Sequence, residues 1–232
     1  MPEVIRMDIE LVVFDMAGTT VNDEDGVNRC VRDALQQVGV TASREAVNGV
    51  MGIPKPAALC YLIEQSDRRD LLRDRLEAIH TDFVARMIRF YQSDPSVYEI
   101  PGASDTFRRL RAANVKVALD TGFSRDIVDV ILARLGWRVP EQFDASVTSD
   151  EVPRGRPYPD MILKLMEDLG VRDAHRVAKV GDTPSDLQEG TNAGCGLVVG
   201  VTGGSHSAGQ LRSYDHTHLI RTVAELPPLL GL

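Results

Sequence analysis

Short apolar runs separated by stretches of helical spacing constrain this chain more than any other feature. Residues 10–14, 115–119, 145–148, 176–180 and 196–201 are brief, rich in Val, Leu and Ala, and mostly followed by Asp, Gly or Thr. Runs that short and that apolar read as strands buried on both faces. From residue 103 onward they alternate with helical stretches at 103–113, 125–135, 159–169 (opening on Pro159) and 185–193. Strand–helix alternation of this kind specifies a parallel, doubly wound α/β sheet. The first run stands apart from the others. Between about 23 and 95 no strand candidate occurs, and apolar residues recur at helical spacing instead. Val27, Val31, Ala34, Leu35 and Val38 form one such stripe, with Gly39 as a stop. Ala57, Leu59, Leu62 and Ile63 mark a helix over 56–65, and Leu72, Leu76, Ile79, Phe83 and Met87 or Ile88 a long one over 71–92. The expected architecture is a Rossmann-like core, residues 1–21 and 99–232, with an all-helical cap domain, 22–98, inserted after the first strand.

Composition narrows the function. A net charge of −8 suits neither a nucleic-acid binder nor any surface that needs clustered cations. No apolar run reaches the ~18 residues of a membrane span, and Met1–Arg6 lacks the basic-then-apolar pattern of a signal segment. Cys30, Cys60 and Cys195 are odd in number and widely spaced, with no ligand pattern or disulfide framework. The expectation is a cytoplasmic protein with a small-molecule partner.

In an open parallel sheet, ligands bind beyond the carboxyl ends of the strands. Three strand ends here carry suitable groups: Asp15, then Asp120-Thr121-Gly122, then Gly181-Asp182, with Asp186 four residues further on. Each alone could be a turn or helix-cap residue. Carboxylates converging at one sheet edge repel, however, and require a cation. Hard oxygen donors suit Mg²⁺.

These residues carry a family resemblance. Phe14-Asp15-Met16-Ala17-Gly18-Thr19-Thr20-Val21 resembles the first motif of the haloacid dehalogenase superfamily. Thr121-Gly122 resembles the second, Arg156-Pro157-Tyr158-Pro159 the third with Arg for the commoner Lys, and Gly181-Asp182-Thr183-Pro184-Ser185-Asp186 the fourth. Order and spacing agree along the chain. Within the superfamily the sequence resembles the phosphonatases, the phosphonoacetaldehyde hydrolases, through Ala17, Met51-Gly52 with Lys55, and the stretch from Asp150 to Pro159. The resemblance implies that Asp15 is the nucleophile and a Mg²⁺ ligand, joined by the backbone carbonyl of Ala17, by Asp182 and, in support, by Asp186. It implies that Thr121 and Gly122 bind phosphoryl oxygens, that Arg156 orients Asp15, and that Met51 and Gly52 belong to the substrate site.

Two positions set the reaction type. Superfamily phosphatases carry an Asp two residues after the nucleophile, because an alkoxide leaving group needs a proton. Here that position is Ala17. Phosphonatases share the substitution; their leaving group is a carbanion, and a lysine imine takes its electrons. Lys55 stands where the resemblance places that lysine, and its amine must be neutral to attack. The sequence departs from the phosphonatases at Ala58 in place of a His, at Phe123 in place of a Tyr, and at Asp23-Glu24-Asp25 in a region that carries a Cys in them. A His-based proton relay then needs His80, which reads as a helix-surface residue, or His206, which reads as a mobile loop residue. The alternatives are a phosphate-ester phosphatase, a catalytically silent binding protein, and least of all a mutase. Lys55 on the insertion and Asp15 on the core would meet on closure about hinges near 21–25 and 96–101. A homodimer through the cap is open, since the Val27–Val38 stripe could serve either a dimer or the cap's own core.

Overall fold

The computed structural model describes residues 8–232, so the reading of Met1–Arg6 lies outside the described residues. In chain order it comprises β1 (Leu11–Asp15), β2 (Val21–Asn22), α1 (Gly26–Gln37), α2 (Arg44–Asn48), α3 (Lys55–Glu64), α4 (Arg69–Leu72), α5 (Leu76–Ser93), β3 (Tyr98–Glu99) and α6 (Ala103–Ala112). There follow β4 (Lys116–Thr121), α7 (Arg125–Leu135), β5 (Ala145–Thr148), α8 (Asp160–Leu169), β6 (Val177–Gly181), α9 (Pro184–Ala193), β7 (Leu197–Val201), α10 (Ala208–Leu211), β8 (His218–Ile220) and α11 (Leu226–Leu229).

Six strands form one sheet in the order β5-β4-β1-β6-β7-β8, and every neighbouring pair is parallel. Each predicted strand is present. Alternation along β1 divides the core in two: Val12 and Phe14 pack on one face, Leu11 and Val13 on the other. Both faces being covered explains the uninterrupted apolar runs. The register sets Asp15 beside Asp120, so two carboxylates leave the sheet at the same edge.

Between β2 and β3 the chain is helical, as the spacing predicts. Val27, Val31, Ala34 and Leu35 are buried, with Val38 packed against them, in the same continuous apolar cluster as Val12 and Phe14. The predicted helix over 71–92 is instead α4, a 3₁₀ turn at Arg73–Arg75, and α5. Arg73, Asp74 and Arg75 are all exposed, so this turn has no apolar side chain with which to pack a continued helix. The short α2 carried too little apolar pattern to be read; Ser43 caps it, accepting from the Ala46 amide at 3.1 Å. The two segments expected to act as hinges pair with each other. β2 and β3 form an antiparallel ribbon, Val21 opposite Glu99, and the Ile100 amide donates to the Thr20 carbonyl at 2.8 Å. No helix among the described residues is long and apolar enough to cross a membrane.

Candidate active site

Asp15 ends β1, and its Oδ1 accepts a 2.6 Å hydrogen bond from Arg156 Nη1. Arg156, itself buried, is held on every side. Its Nε donates to Glu189 Oε2 at 2.9 Å, and its Nη2 donates to the Asp120 carbonyl at 3.1 Å and to the Asp120 carboxylate. Lys179, in the middle of β6, donates to Asp120 and lies 3.1 Å from Glu189 Oε2 and 3.2 Å from Asp186 Oδ1. Asp120, Arg156, Lys179, Asp186 and Glu189 all have side chains withdrawn from solvent. Burial alone would raise the Asp120 carboxyl, but Arg156 and Lys179 outweigh it and hold it below the usual range. Burial and the neighbouring Asp120 carboxylate push Glu189 up to about 8, against the pull of Lys179 and Arg156.

Sequence reasoning missed Lys179 and Glu189. Both had signals. A lysine flanked by Ala178 and Val180 in a fully buried strand requires a buried partner, and Glu189 follows Asp186 at the i,i+3 spacing of one helix face.

Asp182 follows β6, and every contact it makes is with a neutral donor. Thr19 Oγ1 donates to Oδ1 at 3.1 Å; the Ser205 amide and hydroxyl donate to Oδ2 at 2.6 and 2.7 Å. Asp186 receives the Thr183 amide at 3.1 Å in a capping box that starts α9. Its other oxygen lies 2.9 Å from Arg156 Nη1 without accepting a directed hydrogen bond. Asp15, Asp182 and Asp186 each offer an oxygen within 4.8 Å of the others. Burial pushes Asp15 up to about 8; Arg156 pulls it down, and Asp186 and Asp182 push it further up. Burial and Asp186 raise Asp182 as well. Carboxylates this crowded ionise together only beside added positive charge, so the donor set fits a hard divalent cation. A second acidic group, Asp120, Asp186 and Glu189, is instead served by Lys179 and Arg156.

Thr121, at the end of β4, and Gly122 face the same cavity as Asp15, Ala17, Met51, Gly52 and Lys55. The cavity measures about 190 Å³, room for a small molecule only. Insertion and core meet closely here. A Cβ on Gly122 would stand 2.7 Å from the Ile53 carbonyl oxygen, and one on Gly52 (φ 81°) 2.2 Å from the hydroxyls of Thr183 and Ser185. Only glycines allow this approach.

Lys55 opens α3, its position set by Pro54 before it and Pro56 after it, so the helix begins one residue before the predicted 56–65. It is only 4% exposed. Its Nζ lies 3.4 Å from the Ile53 carbonyl oxygen and 5.4 Å from the centre of the Phe123 ring. Burial pulls its pKa down to about 8, although Asp15 opposes the shift. The positive end of α3 also disfavours the ammonium.

The two histidines fall elsewhere. His80 is half-buried on α5 with its ring 6.3 Å from that of Phe83. His206 is not the mobile loop residue expected: it is buried, and its Nδ1 is 2.9 Å from Ser205 Oγ, which itself holds Asp182. It lines a separate cavity with Gln188 and Tyr214.

The geometry agrees with the comparisons to known proteins. Residues 12–200 match the haloacid dehalogenase-like hydrolases. The chain belongs to that family. It is 34% identical to the phosphonoacetaldehyde hydrolase of Syntrophobacter fumaroxidans over 84% of this chain and 72% of that protein. It is 30% identical to the phosphonoacetaldehyde hydrolase of Hahella chejuensis, over 92% of this chain and 74% of that one. Among solved structures, a phosphonoacetaldehyde hydrolase-like protein from Oleispira antarctica superposes with a TM-score of 0.84 at 21% identity, covering 98% of this chain and 93% of that one. A hydrolase from Pseudomonas syringae gives 0.84 at 19%, covering 96% and 98%. The two structures share the fold. The chain is therefore a hydrolase of the haloacid dehalogenase superfamily with a Rossmann-like core.

Proposed function

We propose that this hydrolase cleaves the C–P bond of a small carbonyl phosphonate, phosphonoacetaldehyde or an analogue, through an imine on Lys55 and an aspartyl-phosphate on Asp15. One observation carries the reading: a lysine with a depressed pKa opens onto the cavity that contains Asp15, while Ala17 puts a methyl where ester cleavage would need an acid. Neutral Lys55 adds to the substrate carbonyl, and loss of water leaves an iminium. Thr121 Oγ1 and the Gly122 amide hold the phosphonate oxygens, and Arg156 keeps Asp15 aimed at phosphorus. Asp15 attacks, and the C–P electron pair moves into the iminium to give an enamine. Water then releases phosphate from Asp15, and protonation and hydrolysis of the enamine free Lys55. Asp15, Asp182, Asp186 and the Ala17 carbonyl would hold Mg²⁺, which when bound offsets the repulsion between carboxylate and phosphonate. The insertion serves as a cap that excludes water from both reactions.

Phosphate release from phosphonoacetaldehyde with Mg²⁺, for wild type and Lys55→Arg, tests the reading. Release by wild type and at least a 10²-fold loss in the variant are expected. Equal release by both would refute the imine, and none by wild type would refute the substrate.

A further inference from the structure

The imine chemistry needs an acid and a base beside Lys55, and the cavity contains no histidine. Ala58 is buried where the phosphonatase resemblance places a His, and His80 and His206 do not line the cavity. The carboxyls that do are Asp15, Asp23, Glu24 and Asp25. Asp15 is the nucleophile. Asp25 is paired with Arg44 Nε at 2.9 Å, and Glu24 is exposed.

Asp23 differs from both neighbours. It lies half-buried just after β2, where the chain enters the insertion, and the next two residues take φ of 43° and 71°. Such strain in non-glycine residues collects at functional turns. Tyr91, fully buried on α5, donates its hydroxyl to Asp23 Oδ2 at 3.4 Å. The Tyr91 ring meets the Phe123 ring edge-on at 5.9 Å, and Lys55 Nζ sits over that same Phe123 ring. Lys55, Phe123, Tyr91 and Asp23 thus form one continuous packed group. The other titratable groups acting on the Asp23 carboxyl are Asp182, Asp25, Cys30 and Lys55.

We propose that Asp23 is the carboxyl that gives and takes the protons of the Lys55 imine cycle. The proposal rests on the imine reading above. As an acid, Asp23 passes its proton to the carbinolamine hydroxyl, which leaves as water while the nitrogen lone pair forms the C=N bond. After the C–P bond breaks, Asp23, reprotonated from water, delivers a proton to the enamine carbon and restores the iminium. As a carboxylate it takes a proton from the water that adds to the iminium. Burial raises Asp23 to about 6, and Lys55 sits at about 8. Between those values the pair holds one proton. The acid–amine form is then roughly 1% of the ion-pair form, from a two-unit difference. The pH profile is a bell with limbs near both values, belonging to the pair.

The test is borohydride trapping of Lys55 by phosphonoacetaldehyde at saturating Mg²⁺, located by peptide mass, together with the pH profile of phosphate release. Asp23→Asn keeps a side-chain acceptor for the Tyr91 hydroxyl but cannot ionise. We expect trapping roughly 10²–10³-fold slower and the limb near pH 6 lost. If Asp23 is only a structural acceptor for Tyr91, trapping and limb stay at wild-type values, and that result overturns the proposal while leaving the imine intact. Wild type that traps nothing overturns both. Tyr91→Phe guards against a misfolded Asp23 variant. Losing a donor to the carboxylate must move the lower limb upward, and an unmoved limb counts against Asp23.

Discussion

Lys179→Met offers a quantitative test of how the site is held together. The ammonium contacts Asp120, Glu189 and Asp186, and all four side chains are fully withdrawn from solvent. Methionine matches the stem of the side chain but removes one of the two cations serving these acids, leaving only Arg156. Breaking a buried ion pair from one side costs about 3–5 kcal/mol, because the remaining charge has neither water nor partner. For a chain of this size each kcal/mol lowers Tm by about 2–4 °C, so a fall of roughly 6–20 °C is expected. Denaturant and thermal unfolding at pH 7 read it directly. The pH dependence has a definite sign. Asp120 is depressed in the folded wild type, so its stabilisation is present above its unfolded pKa and disappears as pH falls through the folded value. The deprived carboxyls of the variant take up protons earlier, so its deficit shrinks from pH 7 toward pH 4. A deficit below about 1 kcal/mol at pH 7, the level of an exposed ion pair, would refute this account of the network.

Three further outcomes follow from the geometry. Lys55→Met should be more stable than wild type at pH 7, and that advantage should fall by about 3 kcal/mol by pH 10.5 and above, the worth of a shift from 10.5 to about 8. Because folded Lys55 binds fewer protons than unfolded between those values, the wild type gains on the variant as pH rises from 8 toward 10.5, and pH-resolved unfolding checks the closing gap. Gly122→Ala drives a methyl to 2.7 Å from the Ile53 carbonyl oxygen. It should lower stability by about 1–3 kcal/mol and kcat/KM by tenfold or more, and steady-state kinetics with unfolding would reveal either result missing. Mg²⁺ should raise the Tm of wild type, and Asp182→Asn should remove that increment; calorimetry showing equal increments would eliminate Asp182 as a ligand.

The sheet was legible because strands buried on both faces leave unbroken apolar runs, and Asp15, Thr121 and Asp182 lie at strand ends that those runs define. Lys55 was legible only through its motif. Nothing in its own surroundings in the sequence distinguishes it from a surface lysine, and it is buried two residues after Ile53, which closes onto Gly122. Tertiary approach also hid the fate of His206, which a loop of glycines and serines disguised as solvated, and the β2–β3 ribbon, whose two-residue strands carry no period. Asp23 was visible only as one acid among three. The absence of an acid at Ala17 is the feature that connects these parts. On the proposed reading, a core with no acid at the Ala17 position leaves the electrons of the leaving group to be received elsewhere. The cavity offers one such receiver, Lys55, and it lies on the insertion. On that reading the missing acid in the core and the buried amine in the insertion are two halves of one design. The proposed design then depends on the close approach of Gly52 and Ile53 to Gly122, where insertion and core meet.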